Sequence, residues 1–295
     1  MRRVVALVSG MGHHVEDLKR AADGMGVEFR AIGFPSLSGR FGLSGPAVSA
    51  EGVDLTGVDG VLIRMMPPGS LEQVVFRMDA LHRLEALGVP LINPPRAVET
   101  AVDKYLTFAR LAGAGLPVPR TWAGESVDEA LAMFDALGRD VVVKPIFGSE
   151  GRGLTRLQDR ELAWRVFHAI IRHGSVIYLQ EFLAHPGYDY RVLVLGDRVL
   201  GAIRRWSSGN DWRTNVAIGG RAEAIEPSAE MIRLSRNAAR AVGAVVAGVD
   251  LLPKTADGEL TILEVNAVPG WRAFAQATGI DVAAALLTEL LDPRR

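Results

Sequence analysis

Lys144 closes the apolar run Val141-Val142-Val143 and is followed by Pro145, so an ammonium group stands where a strand leaves the core. Gly148, Gly151 and Gly153 follow directly, and glycines let backbone amides approach phosphate oxygens with no Cβ in the way. A lysine beside a glycine loop is chemistry suited to nucleotide phosphate. Farther along, Asp250 sits in the β segment Gly248 to Leu252, while Glu264 and Asn266 lie two apart at the end of the segment that starts at Leu260. Side chains two apart on a strand share a face, so Glu264 and Asn266 point together and an adjacent strand brings Asp250 opposite them. Three hard oxygen donors suit Mg2+ shared with nucleotide phosphates, and acids inside apolar segments are costly unless coordinated or paired. Arg191, Arg204, Arg205 and Arg213 fall on or just after a hairpin that should pack near these strands. Such a cluster suits bidentate binding of carboxylate and phosphate.

Other chemistries fail on spacing or composition. The glycine loop lacks the Gly-Lys-Ser/Thr order that opens a helix in a P-loop, and Gly10-Met11-Gly12 lacks the third glycine of a dinucleotide fingerprint. Without cysteine there is no thiolate zinc site, cysteine nucleophile or disulfide scaffold. His13-His14 reads as a helix start, Met65-Met66 as packing and Arg294-Arg295 as a frayed terminus. Lys and Arg number 33 against 34 Asp and Glu, so no global basic field draws the chain to nucleic acid or an anionic membrane. Arg2-Arg3 before Val4 to Val8 looks superficially like the start of a signal peptide, but the run is too short and a first strand explains it better. No apolar stretch approaches the roughly 20 residues of a membrane span, and the expected setting is cytoplasmic.

Single cores seldom grow beyond about 250 residues, so 295 residues imply two or three lobes with a cleft between them. Strand signals at Val4 to Val8, Val27 to Ile32 and Gly57 to Arg64 alternate with helices at His14 to Met25 and Leu71 to Leu87, the order of a parallel α/β layer. Gly33 to Gly52, rich in Gly, Ser and Pro, reads as a surface loop. Asn93-Pro94-Pro95 marks the first lobe boundary, and Ala97 to Leu111 is helical again. Beyond it come helices near Val127 to Leu137, Asp159 to Ile171, Ser228 to Val242 and Asp281 to Leu291. Strands are expected at Val141 to Lys144, Val176 to Glu181, Val246 to Leu252 and Leu260 to Val265, with a hairpin turning at Gly196-Asp197. This half is expected to be antiparallel, with lobes at 1–95, 96–185 and 186–295.

Taken in order, several motifs closely resemble the RimK-like glutamate ligases of the ATP-grasp superfamily. They are Asp103-Lys104, Val142-Val143-Lys144-Pro145, Gly148-Ser149-Glu150-Gly151-Arg152-Gly153, Gln180-Glu181-Phe182, Asp189-Tyr190-Arg191, Trp212-Arg213-Thr214-Asn215, Gly248-Val249-Asp250 and Glu264-Val265-Asn266. The resemblance runs from about Asn93 to the C terminus and implies an α/β and α+β ATP-grasp fold with an N-terminal Rossmann-like lobe. It implies that Lys104 and Lys144 contact ATP phosphates, that Gly148, Ser149, Gly151 and Gly153 close over them, and that Gln180, Glu181, Phe182 and Leu183 hold adenine along a hinge. Asp189 is then expected near the ribose and Asp250, Glu264 and Asn266 as ligands of two Mg2+ ions, with Mn2+ able to substitute. Arg191, Arg205, Arg213 and Asn215 match positions near the phosphates and an acyl-phosphate, the last three in catalytic roles.

The implied reaction passes the ATP γ-phosphoryl group to a carboxylate and lets an amino group attack the acyl-phosphate. ATP, L-glutamate and a carboxylate acceptor are the implied partners of a homo-oligomer. Pro269-Gly270-Trp271-Arg272 resembles ligases of one-carbon coenzyme pathways, which tilts the acceptor toward a small coenzyme such as tetrahydromethanopterin. The alternatives are a glutamate ligase acting on a protein C terminus or an amino-acid carrier protein, and an ATP-grasp kinase that phosphorylates a hydroxyl. A non-catalytic ATP-binding regulator would be expected to have lost a metal ligand or a phosphate-contacting lysine, and here all are present.

Overall fold

A computed structural model describes residues 1–148, 153–207, 212, 221–255 and 258–292. The run Val4 to Val8 contains no polar residue, as a strand covered on both faces requires. In β1 (Arg3–Val8), Val4, Ala6 and Val8 face one apolar cluster while Val5 and Leu7 face another. α1 (His13–Met25) stops at Gly26, whose φ of 66° is the left-handed C-cap that favours glycine. β2 (Glu28–Gly33) then pairs parallel with β1.

Residues 33–52, expected as a loop, instead supply β3 (Leu37–Gly39) and β4 (Val48–Ala50) of a small antiparallel sheet that β5 (Val53–Asp54) completes. Four apolar side chains explain it: Phe34, Leu37, Val48 and Ala50 are buried in the lobe's core. β6 (Gly60–Ile63), α2 (Leu71–Ala86) and β7 (Leu91–Ile92) complete a parallel sheet in the order β2-β1-β6-β7, with a Ser70/Gln73 capping box starting α2. Met66 packs on this core, but Met65, expected as packing, is 59% exposed.

The helix expected over Ala97 to Leu111 is two, α3 (Pro95–Val102) and α4 (Lys104–Gly113). Asp103 breaks it: its backbone is extended and its carboxylate accepts from Leu106 N at 3.0 Å, capping α4. A four-stranded antiparallel sheet follows, in the order β10-β9-β11-β8. It consists of β8 (Thr121–Gly124), β9 (Val141–Val143), β10 (Thr155–Leu157) and β11 (Ile177–Glu181), backed by α5 (Val127–Ala136) and α6 (Arg160–Arg172). This sheet has its own core around Phe134, Phe167 and Leu179.

The last sheet is five antiparallel strands in the order β14-β13-β12-β15-β16: β12 (Tyr188–Leu195), β13 (Arg198–Trp206), β14 (Ala222–Ile225), β15 (Val246–Pro253) and β16 (Leu260–Asn266). β14 has no counterpart in the sequence reading. Gly196, with φ 57°, makes the β12–β13 turn. Strand alternation divides the sheet's two faces: Val192 and Val194 pack under α7 (Ala229–Val242), while Leu193 and Leu195 pack with β1, α8 (Arg272–Thr278) and α9 (Val282–Leu290). α8 was also unforeseen.

Packing cuts across the lobe division at 95/96. Ala97 of α3 and Leu111 of α4 are buried with α7 on the five-stranded sheet, and α9 is buried against the first lobe, where a Cβ on Gly60 would lie 2.6 Å from Leu290 Cγ. Asn93 stitches the same junction. Its Oδ1 accepts from Val245 N (2.7 Å) and Val246 N (2.8 Å), and its Nδ2 donates to the carbonyls of Val246 and Ala267. No helix among the described residues is long and apolar enough to cross a membrane.

Candidate active site

Cross-strand register puts charged side chains of four strands on one face of the five-stranded sheet. Asp189 on β12 is opposite Arg205 on β13, Arg191 on β12 is opposite Asp250 on β15, and Asp250 is opposite Glu264 on β16. Arg205 grips Asp189 through two hydrogen bonds of 2.7 and 2.6 Å and reaches Asp250 Oδ2 at 2.8 Å. Arg191 grips Asp250 through two bonds of 2.7 Å. Bidentate pairs fix both guanidinium planes, which presets where they can meet an anion. Burial works against charge on Asp250, yet Arg191 and Arg205 hold its pKa below the usual carboxylate range. Against the same cost of burial, Asp189 and Asp250 raise that of Arg205.

Two expectations shift here. Asp189, expected beside a ribose, is buried and spends both oxygens on Arg205. Arg204 points away from the cluster, lying 4.8 Å over Tyr188 and pairing with Glu223 at 3.5 Å.

Glu264 differs from its neighbours. Burial and then repulsion from Asp250 raise its pKa, while Arg191, Lys104 and Lys144 pull it down through space. No hydrogen bond to it is found among the described residues. Asn266 Oδ1 accepts from Val268 N at 2.9 Å and keeps its second lone pair. Magnesium takes few protein oxygens and keeps several waters. A free carboxylate on Glu264, Asp250 directly across the ladder and an amide oxygen on Asn266 are donors that fit it. When bound, Mg2+ would screen phosphate charge and polarise a phosphoryl oxygen.

Two lysines from outside the five-stranded sheet face this cluster. Lys104, at the start of α4, donates to the carbonyls of Gly148 (2.7 Å) and Ile146 (3.3 Å). Burial lowers its pKa against the pull of Glu264 and Asp103. Lys144 donates to Gln180 Oε1 at 2.5 Å. Burial pushes Lys144 down to about 8, Glu264 opposing and Lys104 assisting. Gly148 (φ 145°) and Gly153 (φ 77°) both have backbones that favour glycine, and a Cβ on either would touch Pro145 at 3.4 and 3.5 Å. The loop therefore leaves and returns beside Lys144. Its members Ser149, Glu150, Gly151 and Arg152 lie outside the described residues, as do Arg213 and Asn215.

Along the expected hinge, Gln180 also donates to Thr121 Oγ1 (3.1 Å), and Glu181 accepts from Arg120 N (2.8 Å) and Nε (2.6 Å). Phe182 carries the Arg156 guanidinium 3.4 Å over its ring and meets Trp212 edge-on at 5.8 Å; Leu183 follows, half-buried. Thr121 and Arg156 were not singled out from sequence. Both come from strands flanking β9 and β11, and only sheet order brings them here.

The Lys144 value has a measurable consequence. Between about 8 and its ordinary 10.5 the folded chain binds fewer protons at this site than the unfolded chain, so this group adds stability as pH rises through that window. A bound phosphate would demand the ammonium form. ATP binding at fixed Mg2+ should therefore take up a proton near pH 8 and weaken above it by up to about tenfold per pH unit. Titration calorimetry in two buffers of different ionisation enthalpy measures the uptake, and Lys144→Met should remove it. Uptake that survives in the variant would take Lys144 off the phosphates.

A family model described as the RimK-like ATP-grasp domain matches residues 101–290. Over 262 residues the chain is 34% identical to a tetrahydromethanopterin:alpha-L-glutamate ligase of Methanosarcina acetivorans, covering 80% of this chain and 81% of that one. A ligase of the same name from Methanococcus maripaludis is 37% identical over 225 residues, 75% of each chain. The solved structure of the ATP-grasp ligase PsnB complexed with minimal precursor superposes with a TM-score of 0.77 at 24% identity, covering 99% of both chains, which bears on fold alone. With the family model spanning more than half its length, and the fold and relatives agreeing, this chain belongs to the RimK-like ATP-grasp family.

Proposed function

We propose that this ATP-dependent ligase joins the amino group of L-glutamate to the carboxylate of a small coenzyme-like acceptor, through an acyl-phosphate. One observation carries the reading: Lys104, Lys144 and Arg191 all act through space on the buried Glu264, and Arg191 and Arg205 are held beside it by Asp250 and Asp189. Four cations so gathered suit a polyphosphate and the anions made from it. The relatives named as tetrahydromethanopterin ligases favour a coenzyme acceptor.

In the first step an acceptor carboxylate oxygen bonds to the γ-phosphorus, the bond to the bridging oxygen breaks, and ADP leaves. Lys104 and Lys144 neutralise the phosphate oxygens, and Arg191 and Arg205, aimed by their aspartates, offset charge that would repel the second nucleophile. The glutamate amine, having lost a proton, then attacks the acyl carbon, and phosphate leaves as the amide forms. The lid formed by β8–β11 shields the acyl-phosphate from water. The Mg2+ pair, with Mn2+ able to substitute, a homo-oligomer and a cytoplasmic setting belong to the same proposal. The exposed Leu71, Val75 and Phe76 on α2 support association.

Mass spectrometry tests it, with ATP, glutamate and a panel of pterin, furan-type, acetylated amino-acid and peptide carboxylates. The expected result is a gain of one or more glutamyl residues on a pterin or furan-type acceptor, and an acyl-phosphate trapped by hydroxylamine. Gain on a peptide would move the acceptor to protein. Substrate-dependent ADP with no trapped acyl group would make the enzyme a kinase.

A further inference from the structure

Outside the phosphate cluster, a half-buried cation lies at the junction of the first and last lobes with no acidic partner among the described residues. Arg64 follows β6 of the first lobe, where its Nη2 donates to Pro269 O at 3.1 Å and its guanidinium lies 4.5 Å over the ring of Trp271. Neither contact neutralises it. Burial lowers its pKa to about 10, with no carboxylate counteracting. Its other N–H groups have no acceptor among the described residues, and the residue is only half-buried. They lie at the junction of the first and last lobes.

The surroundings reinforce this. His14 Nε2 accepts from Trp271 N at 3.0 Å, which requires neutral imidazole, and burial followed by Arg64 keeps its pKa near 4. The carboxylate that acts on His14, Asp17, is taken by Arg20 (2.8 Å) and Trp271 Nε1 (2.8 Å). Arg272 adds a second positive charge to the field at His14. The junction thus joins positive charge to an aromatic face and is fixed by bonds between lobes.

It also adjoins the reacting groups. A Cβ on Gly248 would lie 3.1 Å from Pro269 Cβ and 3.7 Å from Arg191 Nε, so only the width of Gly248 separates the residue that holds Arg64 from the Arg191–Asp250 pair. Planar, multidentate guanidinium on an aromatic face is the arrangement that binds carboxylate with orientation.

We propose that Arg64 anchors a substrate carboxylate that is not itself activated, placing that substrate between the first lobe and the Arg191–Asp250–Glu264 row. This rests on the ligase reading above, because it needs a carboxylate-bearing substrate beside the phosphoryl group. The carboxylate belongs either to glutamate or to an acidic group elsewhere on the acceptor, and binding distinguishes the two.

The test is titration calorimetry on the full chain with L-glutamate, glutamine and isoglutamine as amine-side probes and tetrahydromethanopterin as acceptor-side probe, each with Mg2+ and ADP. Arg64→Met should weaken either glutamate or tetrahydromethanopterin by at least about tenfold, the loss expected of a charge-assisted bond, and leave ADP binding unchanged. If glutamate is the one anchored, the wild type should prefer it over one of the two amides, and the variant should lose that preference. Arg64→Lys, retaining charge but not the planar fork, should fall between and serves where the methionine variant does not fold. Equal affinities for every probe in wild type and variants would overturn the anchor, even with lowered stability, since that would make Arg64 only a link between lobes. A wild type that binds these probes but makes no glutamyl product would instead count against the proposed function alone.

Discussion

Glu264→Gln should reduce turnover by about a hundredfold to a thousandfold while leaving the folded chain as stable as before, or more so. The two halves of that expectation come from one observation. Glu264 is the acid of the cluster without a hydrogen bond among the described residues, and burial with the nearby Asp250 raises its pKa. A folded pKa above the unfolded one means that ionisation costs stability, a penalty present at neutral pH and vanishing as pH falls below the unfolded value. Glutamine removes the penalty and keeps the shape. A residue tolerated at such cost is held for a ligand, and loss of its charge should weaken the metal's hold and slow phosphoryl transfer together. Activity at saturating Mg2+, set beside the urea midpoint of the same preparation, measures both. Near-normal activity would remove Glu264 from the metal site; a large drop in midpoint would make it a structural residue.

The parts legible in the sequence were those governed by local period. β15 and β16 announce themselves as apolar segments, and parity alone placed Glu264 and Asn266 on one face with Asp250 opposite. The arginines were harder. Counting back from the Gly196-Asp197 turn, Asp189 would face Arg204. A register shift between Leu193 and Val194 moves the pairing by one residue, so Arg205 meets Asp189 and Arg204 is turned outward onto aromatic rings. A one-residue slip reverses every side chain beyond it, and nothing in Leu193-Val194 signals the irregularity. The 33–52 segment misled for another reason: its turn residues outnumber the four apolar ones that decide its burial. Arg64 and Trp271, more than two hundred positions apart, meet only through tertiary packing of the lobes.

Arg205→Met should cost about 3–5 kcal/mol of stability, because it leaves two buried carboxylates without the cation that links them. Asp189 and Asp250 are both almost fully buried, and Arg205 bonds to both. Arg191 still holds Asp250 in the variant, so the larger share of the loss falls on Asp189. The deficit should depend on pH with a definite sign. Asp250's lowered pKa adds stability above the unfolded carboxylate range, and that contribution is lost as pH falls. In Arg205→Met the two acids that lose its charge protonate more readily, so the gap between wild type and variant should narrow in acid. Denaturant midpoints at neutral and mildly acidic pH measure it, and a gap that is constant with pH would mean that lost packing rather than stranded charge is responsible. Adding Asp189→Asn should recover part of the stability, and it separates two roles that a single substitution confounds. If the double variant regains its midpoint but not its turnover, Arg205 acts on the phosphoryl group itself. If both return together, its guanidinium serves to hold Asp189 and Asp250 in place, and the positive charge that meets the anion is that of Arg191 and the two lysines.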